Sequence, residues 1–265
     1  MNNPTIVLTI DGSDSSGGAG IQADIKAISA LGSFAASVIT AVTAQNTLGV
    51  QGIHPIPTDM VTQQIRSVMD DLHPDAVKIG MVCDKGIAST IAACLDEYRP
   101  RWVVFDPVMV STSGHKLMTD DIIETICREL LPKASLITPN LHEARIFLGH
   151  DVKDIEAMEE GAETLAKAYG CSVLIKGGHL EGGGMCDVLY DLSSQSLHHF
   201  DAPKIESRNL HGTGCTLSSA IATKLSQGLS LPDAIREAKA YVTRAIDAAK
   251  DMHIGNGHGP LWHFL

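Results

Sequence analysis

The residues best suited to chemistry form a glycine-rich turn, HGTGCTLS, between His211 and Ser218. Two glycines precede an amphipathic helix that we predict to begin near residue 214. Backbone N–H groups at such a helix start would face the negative charge of a transferring phosphoryl group. Cys215 lies in the first turn, where the helix dipole favours the thiolate and tends to lower the pKa of the thiol. A plain turn around a buried small residue is the alternative interpretation.

Oxygen-rich side chains follow two predicted strands in the middle of the chain. Asp106 follows an apolar run, where burial of a carboxylate is costly without a cation. Asn140 and Glu143 follow the next strand, three residues apart, and with Asp106 they predict a Mg²⁺ site held partly through water. The alternative for Asn140 and Glu143 is a capping box with Asn in place of Ser or Thr. Lys176 ends another predicted strand beside two glycines, a position that suits a contact with phosphate.

A second glycine-rich loop, DGSDSSGGAG at residues 11–20, follows a short apolar strand predicted at 5–10. It is neither a P-loop nor a dinucleotide-binding fingerprint, because Gly17 is not followed by Lys and then Ser or Thr, and its two acids would repel a pyrophosphate. Its glycines would let the backbone approach a small, non-anionic substrate, although a flexible turn is the alternative. Asp24, in the helix predicted at 21–31, could face the same pocket or the solvent.

Gln45 ends a second apolar strand, predicted at 35–44. A Gln amide pairs bidentately with a ring nitrogen beside an exocyclic amine, as it does on adenine. Gln45 is therefore a candidate reader of a nitrogen heterocycle, and an ordinary strand end is an equally consistent interpretation.

The elements that must position these residues alternate between strand and helix about six times. This pattern predicts an α/β fold whose mostly parallel central sheet has helices on both faces. From residue 185, CDVLYD and SLHHFDAP predict a hairpin added at the sheet edge, followed by two long helices near 214–227 and 232–250. In such sheets ligands bind beyond the carboxyl ends of the strands, which is where the candidate residues lie.

The composition excludes several classes of protein. With 265 residues, a single domain over 1–265 is expected, and 44% hydrophobic residues exclude a disordered chain. A net charge of −11 argues against a nucleic-acid partner. The six cysteines include no C-x-x-C pair, which argues against a zinc ribbon or thioredoxin motif. No signal peptide is recognisable and no apolar run approaches the roughly 20 residues that span a membrane, so a cytoplasmic protein with reduced thiols is expected.

These motifs together closely resemble the hydroxymethylpyrimidine/phosphomethylpyrimidine kinases of thiamine biosynthesis, in the ribokinase-like superfamily. The matching stretches run from one end of the chain to the other: TIDGSDSSGGAGIQADIKAISALG, SVITAVTAQNTLGV, AVKIGM, DPVM, LITPNLHEA, IKGGH, HGTGCTLSSAIA and GHGPLWHF. The resemblance implies a ribokinase-like fold and ATP-dependent phosphorylation of 4-amino-5-hydroxymethyl-2-methylpyrimidine, and then of its monophosphate to the diphosphate. It also implies Mg²⁺ and a homodimer. A pyridoxal or pyridoxine kinase, or a dual-specificity enzyme, is the alternative, and a non-catalytic sensor would be expected to have lost an acid or the anion hole.

The resemblance also implies roles for individual residues. Around the pyrimidine it places the reader Gln45 together with Gly12, Asp24, Val42 and Met81. At the phosphates it places the Mg²⁺ acids Asp106 and Glu143, the ATP-binding residues Asn140 and Lys176, and the anion hole of Gly212, Thr213 and Gly214. Most sugar and nucleoside kinases of the superfamily carry Asp as general base where this chain has Cys215. A thiolate could accept the hydroxyl proton, although the loose transition state of phosphoryl transfer needs little help from a base.

Overall fold

The computed structural model describes residues 3–109, 118–178 and 185–265, and within them the chain forms one sheet of nine strands with helices on both faces. The strands are β1 (Ile6–Asp14), β2 (Phe34–Asn46), β3 (Gly49–Pro55), β4 (Ala76–Ile79), β5 (Val103–Phe105), β6 (Leu136–Ile137), β7 (Ser172–Ile175), β8 (Met185–Asp191) and β9 (Ser196–Ala202). The helices are α1 (Gly20–Ala30), α2 (Thr58–Leu72), α3 (Lys85–Tyr98), α4 (Asp120–Thr125), α5 (Leu141–Leu148), α6 (Ile155–Tyr169), α7 (Thr213–Ser226) and α8 (Leu231–Ala249). None of the helices described is both long and apolar enough to cross a membrane.

The strands lie in the order β3-β2-β1-β4-β5-β6-β7-β8-β9. The six strands from β2 to β7 are parallel, and β8 and β9 form an antiparallel hairpin at one edge, which confirms the predicted fold class. The sequence analysis missed β3, which pairs antiparallel with β2 at the other edge. This strand, GVQGIHP, contains two glycines and a proline, has no buried residue, and lacks the apolar alternation that predicts a strand.

The central strands are buried on both faces, which explains why they read as continuous apolar runs. In β1, Leu8 and Ile10 pack against α2 and α3, and Val7 packs on the opposite face with α1, α7 and α8. Helix α7 lies over the middle of the sheet and contacts β1, β4 and β5, so most of its side chains are buried. Its first turn therefore begins beside the carboxyl ends of the central strands.

The segment after α8 has no regular element but is held by hydrogen bonds across the molecule. The N–H of His258 donates to the carbonyl of Thr47 (2.9 Å), and the carbonyl of Gly259 accepts from the N–H of His211 (3.1 Å). His263 is buried, and its Nε2 lies 3.0 Å from the hydroxyl of Thr216 in α7. The segment thus joins the end of β2 to the turn that starts α7.

Candidate active site

The turn before α7 presents backbone donors at the carboxyl edge of the sheet. Gly212 has φ +86°, and a Cβ there would lie 1.9 Å from the carbonyl oxygen of Gly18, so only glycine fits. Among the described residues, the N–H groups of Gly214 and Cys215 have no hydrogen-bond acceptor. The N–H of Thr213 is already engaged, because it donates to the carbonyl of Leu210 at 3.3 Å. Two free N–H groups at a helix start are suited to an anion.

Cys215 is a buried thiol, which contradicts the expected lowering of its pKa. Its Sγ lies 4.0 Å from Oδ2 of Asp11. Burial raises the pKa well above the ordinary value, Lys78 opposes this, and the nearby carboxylates of Asp11 and Asp24 add to it. Desolvation is the largest cause of the raised pKa, so the side chain is a neutral thiol at neutral pH.

Beneath Cys215 lies an ion-pair cluster centred on Lys78, which the sequence analysis missed. Lys78 is 0% exposed, and its Nζ lies 2.5 Å from Oδ2 of Asp11 and 2.8 Å from Oδ2 of Asp24. Burial lowers the pKa of this ammonium, but the two carboxylates outweigh burial and raise it well above the ordinary value. The acids and Cys215 lie close enough to share a cation, and Lys78 supplies it. A lysine inside an otherwise apolar strand was the available signal.

Asp24 lies inside this cluster rather than on a pocket wall. Its carboxylate accepts hydrogen bonds from the hydroxyls of Thr9 (2.5 Å) and Ser219 (2.7 Å) as well as from Lys78. Burial raises its pKa to about 7, against the opposing charge of Lys78. The side chain is 0% exposed, so the predicted contact with a substrate is wrong, and so is the solvent-facing alternative.

The loop at residues 11–20 is shaped by Asp14. Its carboxylate accepts from the backbone N–H groups of Ser16 (2.8 Å), Gly18 (3.2 Å) and Ala19 (2.9 Å). The same carboxylate lies 2.8 Å from Nε2 of His211. Burial raises its pKa, but hydrogen bonds from His211 and Ser16 outweigh burial and lower it to about 2. Asp14 is therefore an anion turned inward, and it ties this loop to the turn before α7.

The residues predicted around a heterocycle come from neighbouring strand ends. A bulge between Asp11 and Gly12 interrupts the pairing of β1 with β2. A Cβ on Gly12 would lie 2.9 Å from Sδ of Met81, and Val42 pairs with Ser13 and is 45% exposed. Gln45 is half-buried at the end of β2, with its Nε2 3.3 Å from Nε2 of His211. The structure thus brings Gln45 to the turn that leads to Cys215.

The predicted phosphate and metal residues meet at the ends of β5, β6 and β7. Nζ of Lys176 lies 2.6 Å from Oδ1 of Asp106, and a Cβ on Gly214 would lie 3.1 Å from Oδ2 of the same Asp106. Asn140 forms a β-bridge with Lys176. Asn140 and Glu143 form the capping box of α5, with bonds of 2.9 and 2.8 Å. The capping interpretation is therefore confirmed, and the carboxylate of Glu143 also accepts a hydrogen bond from the backbone of Met109.

The two acids fit a Mg²⁺ ion by their chemistry. Asp106 and Glu143 are 1% and 3% exposed, and both offer the hard carboxylate oxygens that Mg²⁺ binds. Burial raises the pKa of Glu143 to about 7, Lys176 opposes the rise, and Asp106 adds to it. Among the residues that the structure describes, Lys176 is the cation paired with these two carboxylates, and a bound cation would supply further positive charge.

Comparisons with known proteins show which family the sequence of this chain resembles. The model of the family described as phosphomethylpyrimidine kinase matches residues 14–262. The hydroxymethylpyrimidine/phosphomethylpyrimidine kinase of Rhizobium meliloti is 48% identical over 260 residues, covering 98% of this chain and 97% of that protein. Thiamine biosynthesis bifunctional protein ThiED of Geobacter sulfurreducens is also 48% identical. The match includes 98% of this chain but only about half (52%) of that longer protein.

A solved structure of a different vitamin kinase has a similar fold. The ADP complex of Bacillus subtilis pyridoxal kinase superimposes with a TM-score of 0.89 at 32% identity, covering 98% of each chain.

Proposed function

The chain belongs to the phosphomethylpyrimidine kinase family, and we propose that it acts as one kinase domain over residues 1–265. It transfers phosphate from ATP to the hydroxymethyl group of 4-amino-5-hydroxymethyl-2-methylpyrimidine, and then to the resulting monophosphate. The observation that carries this proposal is the contact between Gln45 and His211, at 3.3 Å. This contact joins Gln45, the candidate reader of the heterocycle, to His211, which directly precedes the turn that carries the free N–H groups of Gly214 and Cys215.

The catalytic work is mainly positioning. Gln45 pairs with the aminopyrimidine edge, while Gly12, Val42 and Met81 surround the ring. The N–H groups of Gly214 and Cys215, within the turn begun by Gly212 and Thr213, hold the charge that develops on the migrating phosphoryl group. Lys176, whose Nζ would lie 3.5 Å from a Cβ on Gly214, neutralises phosphate oxygens beside the same turn, and Asn140 lies next to Lys176.

Cys215 acts on the alcohol as a thiol. Because its pKa is raised, the thiol stays protonated and is not a thiolate base. It orients the hydroxymethyl oxygen by hydrogen bonding. A loose phosphoryl-transfer transition state needs little general-base catalysis. Orientation of the alcohol therefore accounts for most of the contribution of Cys215 to the rate. Asp106 and Glu143 would hold Mg²⁺, which supplies charge neutralisation at the ATP phosphates.

Three further features belong to the same proposal. The reaction takes place in the cytoplasm, which is consistent with six cysteines that are all free thiols. The enzyme is a homodimer, for which light scattering would report twice the mass of the chain. Its partners are small molecules, because its net charge of −11 disfavours nucleic acid.

Pyridoxal kinase activity is the second candidate, because the pyridoxal kinase of Bacillus subtilis shares the fold. Pyridoxal also carries a hydroxymethyl group on a flat ring, but it lacks an amine beside a ring nitrogen. A coupled ATP-turnover assay with hydroxymethylpyrimidine, its monophosphate and pyridoxal in parallel tests both candidates. Turnover of pyridoxal alone would overturn the proposed function.

Substitution of the reader tests the role of Gln45 directly. We expect Gln45→Leu to weaken pyrimidine binding by roughly 10-fold or more, because a bidentate pair is lost. ATP binding should be unchanged, and titration calorimetry with each ligand would measure both. An equal loss of both affinities would show that Gln45 is only structural.

A further inference from the structure

The side-chain amide of Gln45 lies between two polar groups, the ring of His211 and the hydroxyl of Thr43, and its orientation decides which hydrogen bonds it forms with them. Its Nε2 lies 3.3 Å from Nε2 of His211, and its Oε1 lies 3.1 Å from the hydroxyl of Thr43. Nε2 of His211 also lies 2.8 Å from Oδ2 of Asp14. The hydroxyl of Thr43 also lies 3.0 Å from the carbonyl oxygen of Ser13.

Counting hydrogens shows that this orientation leaves two conflicts. Asp14, as a carboxylate, can only accept, so Nε2 of His211 must carry a hydrogen that it donates to Asp14. The amide NH₂ of Gln45 then faces another donor. Thr43 has a single hydroxyl hydrogen, yet both Oε1 of Gln45 and the carbonyl of Ser13 require it.

A half-turn of the amide about its last side-chain bond removes the donor–donor contact with His211 and the competition for the Thr43 hydrogen. Oε1 then shares the single Nε2 hydrogen of His211 with Asp14 in a bifurcated hydrogen bond, and the amide nitrogen donates to the hydroxyl of Thr43. The Thr43 hydrogen goes to the carbonyl of Ser13 alone. Every donor in the group now has an acceptor, which is the criterion that fixes an amide orientation.

We propose that His211, held by Asp14, is a specificity-determining residue that sets the amide of Gln45 with its oxygen toward His211 when the site reads its substrate. This inference rests on the proposed function, because it assigns the sense in which Gln45 reads the pyrimidine. In this assignment each flanking contact takes up one lone pair of Oε1 or one N–H of Nε2. The other lone pair and the other N–H are then assigned to the ring.

The orientation decides which way the substrate points. Oε1 accepts from the 4-amino group and Nε2 donates to ring atom N3, so the 4-amino group lies on the side of His211. The hydroxymethyl group is on C5, next to the amino-bearing carbon and away from N3. It therefore extends past His211 toward Gly212 and Cys215, where the phosphoryl group is transferred.

The experiment compares this substrate with its 4-oxo analogue, 5-hydroxymethyl-2-methylpyrimidin-4-one, in the coupled ATP assay. The analogue offers an acceptor at O4 and a donor at N3, so it requires the reversed amide. We expect the protein to prefer the 4-amino compound, measured as the ratio of the two kcat/KM values. His211→Phe keeps a ring but frees the amide, and the ratio should fall roughly 10- to 100-fold.

A merely structural role of His211 would lower both kcat/KM values and leave their ratio unchanged, which would overturn the inference. Asp14→Asn should lower the ratio in the same direction by a smaller factor, and it serves if His211→Phe fails to fold. His211→Gln restores a side-chain N–H and should recover part of the ratio. His150→Phe, at an exposed histidine, is the matched control and should leave the ratio unchanged. Absence of turnover of either compound by the unaltered protein would instead overturn the proposed function, and the inference with it.

Discussion

Cys215 keeps its proton because it is buried against carboxylates, and this sets how the residue can act. Oδ2 of Asp11 lies 4.0 Å from Sγ. We expect Cys215→Ala to lower turnover by roughly 10²-fold with little change in pyrimidine binding, because the group that orients the alcohol is lost. Cys215→Ser, which keeps an orienting hydroxyl, should retain more activity than the Ala variant in the same assay.

Thiol reactivity provides an independent check. A buried, protonated Cys215 should react with iodoacetamide at neutral pH far more slowly than a small-molecule thiol, measured by mass spectrometry of the labelled peptide. Rapid labelling, together with a Ser variant as inactive as the Ala variant, would identify Cys215 as a thiolate base.

Lys78 is the residue whose loss should cost the most stability. Lys78→Met leaves Asp11 and Asp24 as buried, unpaired carboxylates, so we expect the free energy of unfolding to fall by about 3–5 kcal/mol. Lys167→Met is a matched control, because it breaks an exposed ion pair with Glu163 in α6 and should cost less than about 1 kcal/mol. Urea denaturation measures both, and similar losses would contradict a structural role for the cluster.

Side chains at the ends of apolar runs could be predicted from the sequence, whereas their buried partners could not. Gln45, Asp106 and Cys215 are polar residues in otherwise apolar or glycine-rich surroundings, and this contrast predicted them as site residues. Lys78 and His211 acquire their roles from residues 54 or more positions away, such as Asp24, so spacing alone could not find them. Asp24 was misplaced for the same reason.

At the scale of elements, strand existence was predictable and strand length was not. Within the part of the chain that the structure describes, the apolar run before Asp106 forms a strand over the three residues of β5, and the ladder ends at Asp106, whose carboxylate pairs with Lys176. Conversely β1 extends to Asp14, through the first four residues of the predicted loop, because β2 continues beside it. Pairing partners fix these bounds, and a single sequence does not reveal them.

The short link after β4 depends on a glycine. A Cβ on Gly80 would lie 1.9 Å from Oδ2 of Asp11 and 2.7 Å from Nζ of Lys78. We expect Gly80→Ala to force this ion pair apart and lower the free energy of unfolding by about 2 kcal/mol or more. Gly52→Ala in β3, where the nearest atom is 3.9 Å away, should cost much less, and a similar loss in both variants would contradict the steric explanation.

For the whole molecule, the raised pKa of Asp24 predicts a pH dependence of stability. Between pH 3.8 and about 7 the folded protein holds a proton on Asp24 that the unfolded chain releases. Because the folded state binds more protons, this group makes stability fall as pH rises through that window. Asp24→Asn removes the effect, so its free energy of unfolding should fall less steeply with pH.

Urea denaturation from about pH 4.5 to about pH 7.5 measures the two slopes and stays above the range in which Asp14 titrates. Parallel curves for the two proteins would show that Asp24 is already ionised throughout.

The loop at residues 11–20 and the turn before α7 pack closely against each other at two glycines, Gly18 and Gly212. Side chains at Gly18 and Gly212 would each collide with the opposite segment, and Asp14 bonds His211 across the join. We expect a ligand bound at one segment to alter binding at the other. Thermodynamic linkage makes the factor by which pyrimidine changes nucleotide affinity equal to the factor by which nucleotide changes pyrimidine affinity.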